Sequence, residues 1–191
     1  MHEIHTYPNV KHVRRRLHLV HPRKATAIKG EVEKLLKVGF IYPISLTYWV
    51  SNIVSVPKKQ GTTCVCVDYC DVNWACLKDN YPTAFINQNI DGCVRSEIFS
   101  FMDVFSGYNQ FNILHANQHK VAFIFPWGTF AYKRLPFGLK NVGATFQRAM
   151  SYAFHDIKHI VQAYLDDLPA HFVKSHDHIG HLRVIFLHCR H

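Results

Sequence analysis

Long apolar runs, paired cysteines and glycine-rich phosphate loops are all missing from this sequence of 191 residues. A transmembrane helix needs about 18 or more consecutive apolar residues, and no such run occurs. The first residues also lack the apolar core of a secretory signal. The six cysteines include no C-x-x-C pair, which argues against a zinc finger or knuckle. No G-x-G-x-x-G or Walker lysine loop occurs, so dinucleotide and P-loop sites are unsupported. We therefore expect an intracellular protein with reduced thiols and no membrane partner.

Acidic residues are scarce in comparison with basic ones. The chain has 13 Asp and Glu against 22 Lys and Arg, which gives a net charge of +9 with histidine neutral. An excess of this size favours a polyanionic partner such as nucleic acid. The apolar share of 48% is typical of a globular protein, and the length fits one domain or a two-lobed one.

The order of the predicted elements favours an α+β fold with an antiparallel sheet over a doubly wound parallel one. Residues 1–27 are basic and poorly periodic, which indicates either an extended arm or a solvated linker. Apolar periodicity and turn residues predict three helices, at 28–39, 142–155 and 179–189. They also predict strands at 49–56, 62–68, 97–104, 119–125, 130–135, 159–165 and 168–173.

The acidic turn Asp166-Asp167 lies between the last two predicted strands, and Pro169 falls in the returning strand. Asp103 stands near the end of another predicted strand, 63 residues before Asp166. Antiparallel packing could bring these three carboxylates together, where they would hold two Mg²⁺ ions, with Mn²⁺ as a substitute. The alternative is an ordinary surface turn, because Asp is a good turn residue.

A zinc site is a further alternative. The segment 155–159 resembles the helix of a zinc protease, but Asp156 stands where that signature needs Glu. Surface histidines on a helical turn explain this segment better.

Eleven short blocks resemble, in the same order, the reverse transcriptase of Ty3/gypsy-type retrotransposons with long terminal repeats. The resemblance spans about residues 11–188. The blocks are Glu33–Ile41, Pro57–Lys59, Cys66–Tyr69, Asn80–Pro82, Met102–Asp103, Ser106–Gln110, Lys120–Phe123, Leu135–Asn141, Ala144–Arg148, Tyr164–Asp167 and His178–Phe186.

The resemblance implies the fingers and palm of a right-handed polymerase, with an antiparallel palm sheet backed by helices. The fingers would comprise about residues 28–95 and 115–138, and the palm about 96–114 and 139–191. No thumb, ribonuclease H, integrase or protease is expected within the chain. The implied activity is template-directed addition of deoxynucleoside triphosphates to a primer 3′-OH on an RNA or DNA template.

The resemblance also implies roles for individual residues. Asp103, Asp166 and Asp167 would be the catalytic, metal-binding carboxylates. The residues that would contact the incoming nucleotide are Lys58, Lys59, Tyr108, Phe137, Gly138 and Leu165. Tyr108 would exclude a ribose 2′-OH. The residues that would lie near template and primer are Gln147, Arg148 and Tyr164.

Several positions depart from the family pattern. Cys64 and Cys70 replace two arginines, and Thr63 replaces a tryptophan. The first of these arginines contacts the triphosphate in the family, and a cysteine can supply neither its charge nor its paired donors. Pro169 removes a backbone donor from a strand. These departures support an alternative, that the chain is a catalytically decayed remnant with at most weak nucleic-acid binding.

Overall fold

The computed structural model describes residues 1–57, 63–82, 91, 93–104 and 107–190. The helices are α1 (Pro22–Lys37), α2 (Cys70–Ala75), α3 (Val142–Ala153) and α4 (His178–His188). The strands are β1 (Ile41–Pro43), β2 (Ser51–Pro57), β3 (Thr63–Asp68), β4 (Ile98–Asp103), β5 (Ala122–Phe125), β6 (Gly128–Tyr132) and β7 (Asp167–Phe172). The part of the chain that is described contains no helix long and apolar enough to cross a membrane.

The chain divides into two compact units. The first unit comprises residues 1–78 and 108–142, and the second comprises residues 79–107 and 143–191. The mixture of helices and sheets confirms the predicted α+β class. The assignment of these ranges as fingers and palm stays a prediction.

The sheet of the first unit has five strands in the order β1-β6-β5-β2-β3. Both predicted hairpins are present, because β2 pairs with β3 and β5 pairs with β6 in antiparallel fashion. One pair departs from the expected antiparallel pattern, since β2 and β5 run parallel. The segment 115–121 forms a 3₁₀ helix, so β5 begins later than the predicted strand.

Helix α1 ends where the sequence predicts and begins earlier than expected. Gly39 has a φ of 73°, and its N–H donates to the Leu36 carbonyl while that of Phe40 donates to the Leu35 carbonyl. This is a Schellman motif, which satisfies carbonyls at a helix end. The helix begins at Pro22, inside the segment predicted as an arm, because proline is well tolerated at the first helical position.

The residues before α1 run along the first unit. The N–H of Tyr7 donates to Ala75, that of Arg15 donates to Val50, and Ile4 is buried. The residues before α1 are therefore hydrogen-bonded to the rest of the unit, and the interpretation of residues 1–27 as an arm stays a prediction.

The second unit is built on the antiparallel pair β4 and β7. Helix α4 contacts β7, where the rings of His178 and His181 pack against Phe172. Phe146 and Met150 are buried on α3 and Phe154 is buried directly after its last residue, which confirms the helix predicted from their spacing of four residues. In this unit β4 therefore ends at Asp103 and β7 begins at Asp167, while α3 contributes side chains to the core.

Candidate active site

Asp103 and Asp167 are directly opposite each other on β4 and β7. Directly paired residues in such a ladder have β-carbons about 4.5–5.5 Å apart. The N–H of Val104 also donates to the Asp166 carbonyl at 2.8 Å, which fixes the end of β4 against the acidic turn. The structure therefore places Asp103 and Asp167 opposite each other in the second unit, next to the turn that carries Asp166. Like charges directly opposite each other oppose folding.

Asp166 has an unusual environment for a carboxylate. Its side chain is half-buried, and its Oδ1 is buried with no hydrogen-bond partner among the described residues. Burial raises the pKa of Asp166, and the charges of Asp103 and Asp167 raise it further. A buried charged oxygen without a partner is costly, and a cation would remove that cost.

The acidic turn is tight and strained at one residue. Tyr164 and Asp167 exchange two backbone hydrogen bonds, at 2.9 and 3.0 Å, around Leu165 and Asp166. Leu165 has a φ of 51°. A positive φ at only the first central residue matches a type II′ turn, where glycine is usual. An L-residue other than glycine in this conformation costs roughly 1–2 kcal/mol.

The first predicted strand of this hairpin, at 159–165, is not formed. Val161 and Tyr164 make only isolated bridges with β7. The Pro169 carbonyl accepts from the N–H of Gln162 at 3.0 Å, so the missing N–H of Pro169 faces the same segment. The proline therefore interrupts the ladder on this side, while the β4–β7 ladder remains continuous.

A Pro169→Val substitution is expected to extend the hairpin, because it restores a donor toward the Gln162 carbonyl. Pro43→Val is the matched control: Ile44 directs its N–H to β6, so position 43 faces away from the ladder. Both substitutions lose the restriction that proline places on the unfolded chain, about 0.4–1 kcal/mol. Only Pro169→Val gains a hydrogen bond, worth about 0.5–1.5 kcal/mol. In urea unfolding, Pro169→Val should therefore change the free energy of unfolding more favourably than Pro43→Val does, by about 1 kcal/mol. Equal changes in the two proteins would contradict the role given to the missing N–H of Pro169.

Gly107 falls in one of the resembling blocks, Ser106–Gln110, and the sequence predicted no role for it at the site. A β-carbon at this position would lie 2.8 Å from Phe146 Cζ and 3.2 Å from Asp166 Oδ1. Phe146 is itself buried, with 1% of its surface exposed. The glycine therefore makes room for the ring and for the half-buried carboxylate together.

Gln147 and Arg148 lie on α3, and both side chains bind other parts of the second unit. The Gln147 amide donates to the Ala163 carbonyl at 3.1 Å and accepts from the N–H of Leu165 at 3.2 Å. Arg148 Nη2 lies 2.9 and 2.8 Å from the two oxygens of Asp79, and its guanidinium stacks 4.6 Å from the Tyr81 ring centroid. Sequence reasoning missed these contacts, because no local pattern signals them.

Several residues that the resemblance assigns to the nucleotide belong to the first unit. Tyr108 is 7% exposed, and its ring meets that of Phe137 edge-on at 4.5 Å. Phe137 is 60% exposed, and Gly138 has a φ of 97°, a conformation that favours glycine. Lys58 and Lys59 lie outside the described residues.

The two cysteines that replace arginines belong to the first unit. The backbone of Cys64 pairs with Val56 across the β2–β3 ladder. Cys70 is exposed at the start of α2, and a hydrogen bond to Asp68 together with that charge raises the pKa of its thiol. A protonated thiol at position 70 carries no positive charge for a phosphate.

A divalent cation fits the chemistry of the acidic turn, although the carboxylates do not form a closed ligand shell. Within the described ranges, no three His, Cys, Asp or Glu side chains are close enough to hold a metal ion. A zinc site therefore gains no support from these residues. The carboxylates of Asp103, Asp166 and Asp167 are nevertheless the hard oxygen donors that Mg²⁺ and Mn²⁺ prefer, and Asp166 Oδ1 has no partner among the described residues.

Comparisons with known proteins agree with one another. Residues 56–191 match the family model described as reverse transcriptase (RNA-dependent DNA polymerase). The chain is 31% identical to the Transposon Tf2-3 polyprotein and 30% identical to the Transposon Tf2-7 polyprotein of Schizosaccharomyces pombe, in each case over 164 residues. These alignments cover 85% of this chain and 12% of each polyprotein.

The fold is similar to solved structures of the prototype foamy virus protease-reverse transcriptase. A mutant of that protein superposes with a TM-score of 0.87 at 20% identity, covering 98% of this chain and 25% of the viral one. A foamy viral protease-reverse transcriptase in complex with an RNA/DNA hybrid gives a TM-score of 0.85 at 21% identity, covering 94% and 24%. At this level of identity the likeness shows the fold alone.

Proposed function

This chain belongs to the reverse transcriptase family, of the Ty3/gypsy type, and we propose that it adds deoxynucleotides to a primer 3′-OH under the direction of a template. The template would be RNA or DNA, and the nucleotides would come from deoxynucleoside triphosphates. The foamy viral relatives, solved with an RNA/DNA hybrid and with double-stranded DNA, support this choice of partner. The net charge of +9 also suits a nucleic acid.

One observation carries the proposal: Asp166 Oδ1 has no hydrogen-bond partner among the described residues, and the charges of Asp103 and Asp167, which oppose each other on β4 and β7, act on this carboxyl. These three aspartates would hold two divalent ions, Mg²⁺ or Mn²⁺. Such ions supply neutralising charge for the attacking hydroxyl and the phosphate. The protein's own contribution would be to hold the carboxylates in place, because phosphoryl transfer depends mainly on positioning and electrostatics.

Other residues would bind the substrates. Tyr108, buried against Phe137, would exclude a ribose 2′-OH, and Gly138 would let the backbone approach the nucleotide. Leu165 and Tyr164 would contact the primer end from the acidic turn.

Two further groups complete the proposed contacts. Lys58 and Lys59 would meet the triphosphate. Gln147 and Arg148, assigned to the template by resemblance, make intramolecular contacts that favour positioning roles.

Primer extension on an RNA template tests the proposal. The wild type is expected to extend the primer with Mg²⁺ or Mn²⁺. Asp166→Asn, which keeps the size of the side chain, should reduce extension at least about 100-fold, because it removes an ionic ligand from the metal site. Extension that continues unchanged in the Asp166→Asn protein would contradict the assigned site.

A second candidate function is nucleic-acid binding without catalysis, by a remnant of a decayed element. Cys64 favours it, because the family arginine at this position contacts the triphosphate, and Pro169 interrupts the acidic hairpin. A Cys64→Arg substitution should raise kcat/KM for extension by about 10–100-fold if the contact can be restored. Template binding with no extension by the wild type would favour the remnant.

A further inference from the structure

Gln147 is a buried amide that binds the chain where it enters the acidic turn. Its side chain is 4% exposed. Its Nε2 donates to the Ala163 carbonyl, and its Oε1 accepts from the N–H of Leu165. A single planar group therefore binds a carbonyl and an amide two residues apart, immediately before Asp166.

One of the two hydrogen bonds of Gln147 is made to Leu165, the residue of the turn that has a positive φ. Leu165 has a φ of 51°, a conformation in which glycine or asparagine is usual. Strain of this kind persists only where surrounding contacts over-determine the backbone. The hydrogen bond from the Leu165 N–H to Gln147 is such a contact, because it orients the peptide unit that leads into Leu165.

Helix α3 supports the turn at a second point. Gly143 and Gln147 are four residues apart and so share one face of the helix. A β-carbon at Gly143 would lie 3.9 Å from the Leu165 side chain, so this face is in contact distance of the turn. The helix therefore binds the Leu165 N–H through Gln147, and the Leu165 side chain lies close to the space above Gly143.

We propose that Gln147 is a positioning residue that keeps Leu165 in the left-handed conformation and thereby fixes Asp166 toward the cation. The role in catalysis rests on the proposed function, whereas the control of the turn does not. An amide is required because the group must donate and accept at once. An ionised glutamate can only accept, and a leucine can do neither.

The first arm of the test measures the turn directly, by residue-resolved hydrogen exchange on the full chain. The N–H of Asp167, bonded to the Tyr164 carbonyl, reports the closed turn. Gln147→Leu and Gln147→Glu should accelerate its exchange at least tenfold. Leu165→Gly, placed in the Gln147→Leu protein, should restore protection, because glycine adopts a positive φ without steric cost. Unchanged exchange in the Gln147 variants, or no rescue, would overturn the proposal.

The second arm measures Mn²⁺ affinity by electron paramagnetic resonance. Gln147→Leu should weaken binding about tenfold, as loss of an outer-shell hydrogen bond does at other metal sites. The same Leu165→Gly change should recover most of that affinity.

Gln118→Leu is the matched control. Gln118 is another buried glutamine, 8% exposed, which donates to the Ile113 carbonyl in the first unit. Its loss should lower stability without changing Mn²⁺ affinity, and Leu165→Gly should not rescue it. Equal loss of Mn²⁺ affinity in the Gln118 and Gln147 variants would overturn the positioning role. A wild type that neither binds Mn²⁺ nor extends a primer would refute the proposed function, while the exchange arm would still decide whether Gln147 holds the turn.

Discussion

A Gly107→Ala protein is expected to unfold about 3–10 °C below the wild type. The added methyl group would lie 2.8 and 2.9 Å from two ring carbons of Phe146, and real β-carbons do not approach other atoms so closely. Phe146 is fully buried, so the ring cannot move without disturbing the core. Overpacking of this kind costs about 1–3 kcal/mol, which differential scanning calorimetry detects easily.

The same methyl group should also disturb the acidic turn. It would lie 3.2 Å from Asp166 Oδ1, so the carboxylate must shift to make room. We therefore expect the Gly107→Ala protein to lose the rise in melting temperature that Mn²⁺ gives the wild type.

Gly180→Ala is the control for Gly107→Ala in the same unit. No atom lies within 4 Å of a β-carbon at Gly180, which stands in α4. Alanine should therefore stabilise the helix by a few tenths to about 1 kcal/mol. If the Gly107→Ala protein were as stable as the Gly180→Ala protein, the Phe146 ring would be able to shift away from the added methyl group. Gly107 would then not be needed for packing.

Local patterns along the chain predicted those elements whose cause is local. The four-residue spacing of Phe146, Met150 and Phe154 located α3, because that spacing follows directly from helix geometry. Gly39 located the end of α1, because a left-handed residue closes a helix. The acidic turn and its returning strand were found from a pair of turn residues followed by an apolar run.

Other features depend on contacts between distant parts of the sequence. The register that places Asp103 opposite Asp167 is set by the whole β4–β7 ladder. The separation of the two residues in the sequence is compatible with this pairing but does not predict it. The bonds of Gln147 to residues 163 and 165 have no signature in the residues around it. Gly107 gave a signal, an isolated glycine just after a strand, which can mark a close approach of another group.

The predicted strand at 159–165 was wrong for a reason that lies in its partner. Its own apolar residues fit a strand, yet Pro169 opposite it cannot donate to the Gln162 carbonyl. Strand propensity is a property of one segment, whereas a β-ladder also needs a suitable partner strand.

An Asp166→Asn protein is expected to be more stable than the wild type at neutral pH and to lose its response to divalent cations. The substitution removes a half-buried charge whose Oδ1 has no hydrogen-bond partner in the part of the chain that the structure describes and on which two like charges act. We expect the melting temperature to rise by about 1–3 °C without metal. Addition of Mn²⁺ should raise the melting temperature of the wild type only.

The pH dependence of this difference follows from the direction of the pKa shift. Burial and the charges of Asp103 and Asp167 raise the pKa of Asp166 above its ordinary value of 3.8. Between that value and the raised one, the folded protein binds more protons than the unfolded chain, so stability falls as pH rises. The stability gained by Asp166→Asn should therefore be absent below about pH 3.8, grow as pH rises through this window, and stay constant above it.

Asp156→Asn is the control, because Asp156 is an exposed carboxylate of the same unit. It should change neither the pH dependence nor the response to Mn²⁺. If Asp166→Asn instead destabilised the protein at neutral pH, the carboxylate would have to be stabilised by a partner already present in the folded chain. A destabilised Asp166→Asn protein beside an unchanged Asp156→Asn protein would then show that Asp166 stabilises the fold. If Asp166→Asn instead raises the stability of the protein and abolishes its response to Mn²⁺, the three carboxylates serve to bind a cation. Their mutual repulsion then lowers the stability of the metal-free fold by a measurable amount.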